Sequence, residues 1–251
     1  MDIVLLTALG VGGATVFGAL IGFVFKNPSQ KFNDVILSFA AGIMLCAAVV
    51  GLIVPSLETK NGSLFVTAVG AVLGAISLNL IDKLVPHLHR ITGVDIEKHP
   101  HKNKELSKVL LFVIAIAIHN LPEGIAAGVS FGSDNVSHAL TIAGGIALQN
   151  IPEGMIIIAP MISSGISKKR TFFIALSTGI VEVVGTLIGY FAVSISSAIL
   201  PFALSFAGGT MLYVISDEMI PETHSHGNER YATYALIIGF ITMLGFDYFL
   251  G

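Results

Sequence analysis

Residues 119–124 read HNLPEG, and residues 149–154 read QNIPEG. Both stretches lie inside long apolar runs. A charged side chain at the centre of a bilayer costs about 2.5–3.5 kcal/mol. A proline inside a helix removes one backbone hydrogen bond and loosens the preceding turn. The chain therefore places the same costly pair, a proline followed by a glutamate, twice in segments that are otherwise almost wholly apolar.

The composition is that of a membrane protein. Of the 251 residues, 54% are hydrophobic and 12% are charged, and the mean hydropathy is +0.86. A soluble domain has about 25% charged residues, and several runs here reach the roughly 20 apolar residues that span a bilayer. The net charge of −3 gives no reason to expect a nucleic-acid partner. We predict an all-α, multi-pass protein of the plasma or inner cell membrane, with the lipid bilayer as its surroundings.

Polar connections divide the chain into eight predicted transmembrane helices that form one domain, residues 1–251. The predicted spans are about 3–25, 34–55, 64–82, 108–130, 137–160, 171–196, 200–219 and 231–250. Of the thirteen Lys and Arg residues, only Lys60 lies in an even-numbered connection. The positive-inside rule then predicts a cytoplasmic, histidine-containing loop at 83–107 and places both termini outside the cell.

Glycine pairs four residues apart recur in these spans. The pairs are Gly18/Gly22, Gly70/Gly74, Gly124/Gly128 and Gly185/Gly189. Small residues at this spacing let two transmembrane helices approach closely. They predict a compact bundle rather than a chemical site.

The two motifs fall near the middle of consecutive, antiparallel spans. They therefore meet at one depth, related by a pseudo-two-fold axis in the membrane plane, as in the inverted repeats of secondary transporters. Each glutamate lies three or four residues after polar side chains, so these share a helix face. A third glutamate, in GIVEVVGT of span six, reaches a similar depth. The predicted central residues are His119, Asn120, Glu123, Gln149, Asn150, Glu153 and Glu182.

Three neighbouring carboxylates need a neutralising partner, and the sequence has no Lys or Arg at that depth. Protons or bound cations must supply the positive charge. Imidazole, carboxylate and amide groups together suit Zn²⁺, Fe²⁺ or Mn²⁺. The alternative is a buried polar network that only fixes the register of the helices.

These motifs resemble those of the ZIP (Zrt/Irt-like) family of divalent metal transporters, in particular its bacterial GufA/ZupT-like branch. The resemblance extends to FAAGIMLCAAVVGLIVPSLE in span two and to FAGGTMLYVISDEMIPETHSH in span seven. It implies a ZIP fold, in which spans one, four, five and six move as a transport unit against the other four. It also implies a homodimer.

The resemblance further implies a binuclear metal site between spans four, five and six. The first ion would be held by His119, Glu123, Gln149 and Glu153. The second would be held by Asn120, Glu123, Asn150, Glu153 and Glu182. Members of the family often have a histidine or a carboxylate where this chain has Gln149 and Asn150, so the sequence departs from the family pattern at these two positions.

Charged residues at the span ends are candidates for the two mouths of a metal path, because acids there raise the local concentration of cations. The predicted outer, entrance residues are Glu58 and Asp247. The predicted cytoplasmic, exit residues are Asp82, His87, His89, Asp217 and Glu218.

The sequence thus predicts an importer of divalent transition-metal ions, Zn²⁺ above all, with Fe²⁺, Mn²⁺ and Cd²⁺ as further cargo. We expect no enzyme activity and no catalytic cofactor. A proton- or Na⁺-coupled antiporter that uses the same carboxylates is the alternative. An intramembrane metalloenzyme is a remote one, because the chain has no HExxH pair.

Overall fold

The structure is a computed structural model. It describes residues 1–25, 28–84, 118–133, 135–163 and 165–251, apart from the side chains at 82 and 84. These residues form helices and connections, with no strand among them. Seven of the described helices are long and apolar enough to cross a membrane. The prediction of an all-α membrane protein is confirmed.

We number the helices α1 to α8 along the chain. They are α1 Asp2–Val24, α2 Gln30–Glu58, α3 Leu64–Leu84, α4 with 118–130 as its described part, α5 Val136–Ser163, α6 Lys168–Ile195, α7 Ser197–Thr223 and α8 Glu229–Leu250. The start of the predicted fourth span and residues 85–107 of the predicted loop lie outside the described residues. The number of eight spans and the external termini stay predictions.

Polar residues in the predicted connections start several helices. The side chains of Ser29, Asn135 and Ser167 each accept a hydrogen bond from the backbone N–H three residues later. Such caps satisfy N–H groups that have no partner within the helix. Pro201 lies in the first turn of the α-helical part of α7, Leu200–Val214, where its missing N–H costs nothing.

α2 and α7 share a distortion. Each contains a π-helical segment, Ala47–Ile53 in α2 and Ile215–Met219 in α7. Each of these segments is followed by a proline two residues later, Pro55 or Pro221. Because proline donates no hydrogen bond and crowds the preceding turn, a widened turn before it relieves the conflict. The two related sequence stretches of spans two and seven therefore bend in the same way.

Glycines bring the helices into backbone contact. A Cβ atom added to either member of each glycine pair four residues apart would meet a neighbouring helix, so the predicted close packing is confirmed. Gly18 and Gly154 join α1 to α5, whereas Gly12 and Gly179 join α1 to α6. The four glycines that join α4 to α6 are Gly124, Gly128, Gly185 and Gly189. We call α1, α4, α5 and α6 the first helix group.

The remaining helices form a second helix group. α2 packs against α8 and α7, and α3 packs against α7. Gly42 meets the backbone of Leu236, and Gly239 meets that of Phe39. Because Asp34 in the first turns of α2 contacts Asn228, just before α8 begins, the two helices run in the same direction. The two groups touch where α2 and α8 lie against α5. This division is the one that the family resemblance implies for the transport unit and its partner.

Candidate functional site

The predicted central residues lie on three helices of the first group. α4 carries His119, Asn120 and Glu123, and α5 carries Gln149, Asn150 and Glu153. α6 carries Glu182. Glu123 is 1% exposed, and Gln149, Asn150 and Glu182 are 0% exposed. Glu153 and His119 are partly buried.

Glu182 is the point where the four helices of the first group meet. Thr15 Oγ1 of α1 lies 2.7 Å from Glu182 Oε1 and 3.0 Å from Oε2. Asn150 Nδ2 donates to Oε2 at 2.9 Å, and Asn120 Nδ2 donates to Oε1. Hydrogen bonds to a carboxylate are shorter and stronger than neutral ones. The three donors therefore hold this carboxylate in place within a fully buried environment.

Four other polar atoms of the site are buried and make no hydrogen bond of ordinary geometry among the described residues, although the Gln149 amide is near enough to interact with the Glu123 carboxylate. They are Glu123 Oε2, Gln149 Oε1, Gln149 Nε2 and Asn150 Oδ1. In protein interiors the large majority of buried polar atoms are paired. Three of these four atoms are oxygens, which are ligands for a cation. The arrangement fits an ion better than a closed polar network.

The charges in the site also favour a cation. The Glu123 carboxylate interacts electrostatically with Glu153 and Glu182, and Glu153 interacts with His119. No Lys or Arg occurs in 118–130, 136–163 or 171–195. Within the described ranges, no three His, Cys, Asp or Glu side chains are gathered closely enough to hold a metal ion. An ion held here must therefore draw the carboxylates together and use the amide oxygens as well.

His119 contacts a predicted exit residue. Its Nε2 lies 2.8 Å from Glu218 Oε2 of α7, and these two side chains are 21% and 19% exposed. The contact links α4 of the first helix group to the π-helical segment of α7 in the second. A predicted ligand and a predicted mouth residue are thus direct neighbours, which the sequence spacing did not indicate.

The structure places only some of the other mouth residues. Glu58 is exposed at the end of α2. Asp247 Oδ1, near the end of α8, lies 3.7 Å from His138 Nε2. Asp217 accepts a hydrogen bond from the Tyr213 hydroxyl at 3.2 Å. His87, His89 and the side chain of Asp82 lie outside the described residues.

Thr15 is a functional candidate that the sequence analysis missed. A single threonine in the glycine-rich first span carries no local signal of a role in a site on α4, α5 and α6. Only the packing of α1 against α6, through Gly12 and Gly179, brings its hydroxyl to Glu182.

Replacing Thr15 by valine should weaken the site without changing its ligands. The loss of a hydrogen bond to a charged group costs about 1.5–3 kcal/mol, so we expect a lower thermal unfolding midpoint and slower metal uptake. Thr178→Val is the matched control, because the Thr178 hydroxyl is equally buried but donates to Ala175 O of its own helix. Equal uptake and stability in the two variants would show that Thr15 has no role at Glu182.

Comparison with known proteins finds a matching family and relatives that align over most of the chain. The profile of the family described as ZIP Zinc transporter matches residues 97–247. The zinc transporter GufA of Myxococcus xanthus is 41% identical, with 98% of each chain covered. The zinc transporter ZIPB of Bordetella bronchiseptica is 35% identical over 95% of this chain and 78% of its own length. ZupT of Streptococcus mutans, also named a zinc transporter, is 32% identical over 95% of this chain and 94% of its own length.

These relatives are named as transporters and not as enzymes, and they match the chain almost from end to end. The family profile covers the paired motifs, Glu182 and Glu218. The chain belongs to the ZIP family of membrane transporters of divalent metal ions.

Proposed function

We propose that the chain imports divalent transition-metal ions into the cytoplasm and that Zn²⁺ is its main cargo. The observation that carries the proposal is the group of unpaired buried oxygens beside three carboxylates, with no Lys or Arg on the described parts of α4 and α5 or in 171–195 of α6. The three relatives described above are each named a zinc transporter. Fe²⁺, Mn²⁺ and Cd²⁺ prefer similar donors and belong to the proposal as further cargo.

The central residues support a site for two ions that bind with unequal affinity. The first ion would use Glu123, Gln149, Glu153 and His119, and this set includes Glu123 Oε2 and Gln149 Oε1, which have no hydrogen-bond partner. The second ion would share Glu123 and Glu153 with the first and would also use Glu182, whose oxygens already accept hydrogen bonds from Asn120 and Asn150. It can enter only if both amides turn to present oxygen in place of nitrogen. We infer that the first ion binds more tightly.

The arrangement of the helices supports movement of the first helix group against the second. Contacts within each group are close glycine contacts between backbones. Between the groups, His119 and Glu218 form a polar pair that can break and re-form. We propose that Glu218 receives the ion from His119 and passes it toward Asp217 and the exit residues Asp82, His87 and His89. Glu58 and Asp247 attract ions at the entrance.

Uptake into proteoliposomes tests the proposal. The purified chain is reconstituted, and Zn²⁺, Fe²⁺, Mn²⁺ and Cd²⁺ are supplied outside while the internal metal and the internal pH are recorded. Zn²⁺ should accumulate above the level of empty liposomes. Proton or Na⁺ exchange without metal accumulation would favour the antiporter and would overturn the proposal. Chemical cross-linking of the same preparation tests the homodimer.

Labelling of single cysteines tests the predicted orientation. Lys60 and Lys169 are exposed at opposite predicted faces of the membrane, and Cys46, the one native cysteine, is replaced by serine. In whole cells, a membrane-impermeant maleimide should label Lys60→Cys and not Lys169→Cys. After the cells are opened, both variants should be labelled. The reverse pattern would invert the topology and exchange the entrance and the exit.

A further inference from the structure

A second polar cluster, which shares no residue with the central site, lies at the end of the bundle where α2 and α8 begin. Asp34 of α2 is 2% exposed. Its Oδ1 lies 3.0 Å from Gln30 Nε2 and 3.1 Å from His226 Nδ1, and its Oδ2 accepts from Asn228 Nδ2 at 2.8 Å. We call Gln30, Asp34, His226 and Asn228 the Asp34 cluster. It joins the first turns of α2 to the connection between α7 and α8.

The three close contacts within the Asp34 cluster cannot all be hydrogen bonds at the same time. Gln30 Nε2 lies 3.1 Å from His226 Nδ1, so these two atoms and Asp34 Oδ1 form a triangle with sides of 3.0–3.1 Å. If Nδ1 carries a proton, it faces the amide nitrogen, which is also a donor. If Nδ1 carries no proton, it faces the carboxylate, which is also an acceptor. Turning the Gln30 amide brings its oxygen against Asp34 Oδ1 instead. Each arrangement leaves one side of the triangle mismatched.

A cation removes this mismatch, because every corner then acts as an electron-pair donor. With the Gln30 amide turned, the three corners become Asp34 Oδ1, His226 Nδ1 and Gln30 Oε1. Zn²⁺ bonds of about 2.0–2.1 Å in a tetrahedron place neighbouring ligands roughly 3.3–3.4 Å apart. The observed sides are only a few tenths of an ångström shorter.

We propose that the Asp34 cluster binds a divalent transition-metal ion through Gln30, Asp34 and His226. The mixture of a carboxylate, an imidazole and an amide oxygen suits Zn²⁺ and other divalent first-row transition-metal ions. The other ring nitrogen, His226 Nε2, lies 3.2 Å from Ser225 Oγ, and Glu222 Oε1 lies farther away at 3.9 Å. With only one carboxylate and one imidazole among its direct ligands, the site holds its ion loosely and releases it readily.

The neighbouring histidine does not take part. His224 Nδ1 lies 2.9 Å from Ile220 O, and its Nε2 lies 3.1 Å from Thr233 Oγ1, so both ring nitrogens are engaged locally. The sequence HSH at 224–226 therefore separates into a histidine that holds the end of α7 and one that faces Asp34. This site stands apart from the transport site, and its existence does not depend on the proposed direction or cargo.

Metal titration of the full chain tests the Asp34 cluster. The chain is purified through a tag that has no histidine, and the central site is disabled by Glu123→Ala with Glu153→Ala. Zn²⁺ binding is measured by calorimetry, and Co²⁺ binding by its visible absorption. We expect binding at the Asp34 cluster to persist in this background and to disappear in both Asp34→Asn and His226→Gln. Glu229→Gln, which changes an exposed carboxylate at the same end, should leave it unchanged.

The same variants in the chain with an intact central site give a second readout. His226→Gln should lower the total of bound Co²⁺ by one ion per chain and keep the ions of the central site. Unchanged binding in His226→Gln and Asp34→Asn, in either background, would overturn the proposal. That result would leave the transport proposal intact, because transport is measured separately in proteoliposomes.

Discussion

The Glu123→Ala variant is expected to lose metal uptake and to remain folded. In the proposed site this carboxylate bridges both ions. Its loss therefore weakens the binding of each ion. A tenfold loss of affinity corresponds to about 1.4 kcal/mol, and we expect a larger loss than this. Uptake should fall to the level of empty liposomes. Glu153→Ala should do the same, because Glu153 is the second proposed bridge.

The thermal stability of the metal-free chain provides a second test of the Glu123→Ala variant. Glu123 is buried, its Oε2 has no hydrogen-bond partner, and it interacts with two other carboxylates. A buried charge without a compensating partner destabilises the folded state. Without metal, Glu123→Ala should therefore unfold at the same temperature as wild type or at a higher one. Glu182→Ala should unfold at a lower temperature, because it leaves the Thr15, Asn120 and Asn150 donors without their acceptor.

Two measurements separate the possible outcomes. Thermal unfolding is followed with and without Zn²⁺, and uptake is measured at equal protein density in the liposomes. Glu229→Ala, which removes an exposed carboxylate at the start of α8, is the control. Near-normal uptake by Glu123→Ala would show that the central site is not the transport site. Loss of uptake together with unfolding would point to a structural role instead.

The sequence was sufficient for the features that depend on local pattern. Hydropathy and turn residues predicted a helical membrane protein, and the spacing within HNLPEG and QNIPEG placed each glutamate on a face with its polar neighbours. Glycine pairs predicted close packing because backbone contact demands the smallest side chain. Each of these inferences uses residues that are near one another in the chain.

The contacts that the sequence did not reveal join helices that are far apart in the chain. Thr15 reaches Glu182, 167 residues away, and His226 reaches Asp34, 192 residues away. No helical period connects such residues, because their meeting depends on which helices pack together and in what register. The pair of His119 and Glu218 is of the same kind. A threonine or an aspartate in an apolar helix has many possible partners, and only the packing selects one.

The last prediction concerns Asn150, where the chain departs from the family pattern. Glu123, Glu153 and Glu182 give the site three formal negative charges. One divalent ion leaves a charge of −1, and two ions leave +1, which is unfavourable in surroundings of low dielectric constant. Asn150→Asp adds a fourth negative charge, so two divalent ions balance the site to zero. We therefore expect the second ion to bind more tightly in this variant.

The contacts of Asn150 add a consequence for the metal-free chain. Its Nδ2 lies 2.9 Å from Glu182 Oε2 and 3.3 Å from Val11 O, and it donates to both. In Asn150→Asp an acceptor oxygen takes that place, so a carboxylate faces another carboxylate and a carbonyl. Only a proton or a cation can relieve this arrangement. Without metal the variant should unfold at a lower temperature than wild type, and Zn²⁺ should raise its unfolding temperature by more.

Calorimetric titration with Zn²⁺ or Cd²⁺, together with thermal unfolding, tests the charge argument for the second ion. Asn79→Asp is the control, because it places a new carboxylate in a membrane helix beside Tyr213 and away from the central glutamates. It should lower stability without changing the affinity for the second ion. Stronger binding slows the release of the ion, so we expect a lower turnover of Asn150→Asp in the uptake assay. Two tightly bound ions in wild type, with no gain in Asn150→Asp, would contradict the charge argument, because the amides would then serve the second ion as well as a carboxylate does.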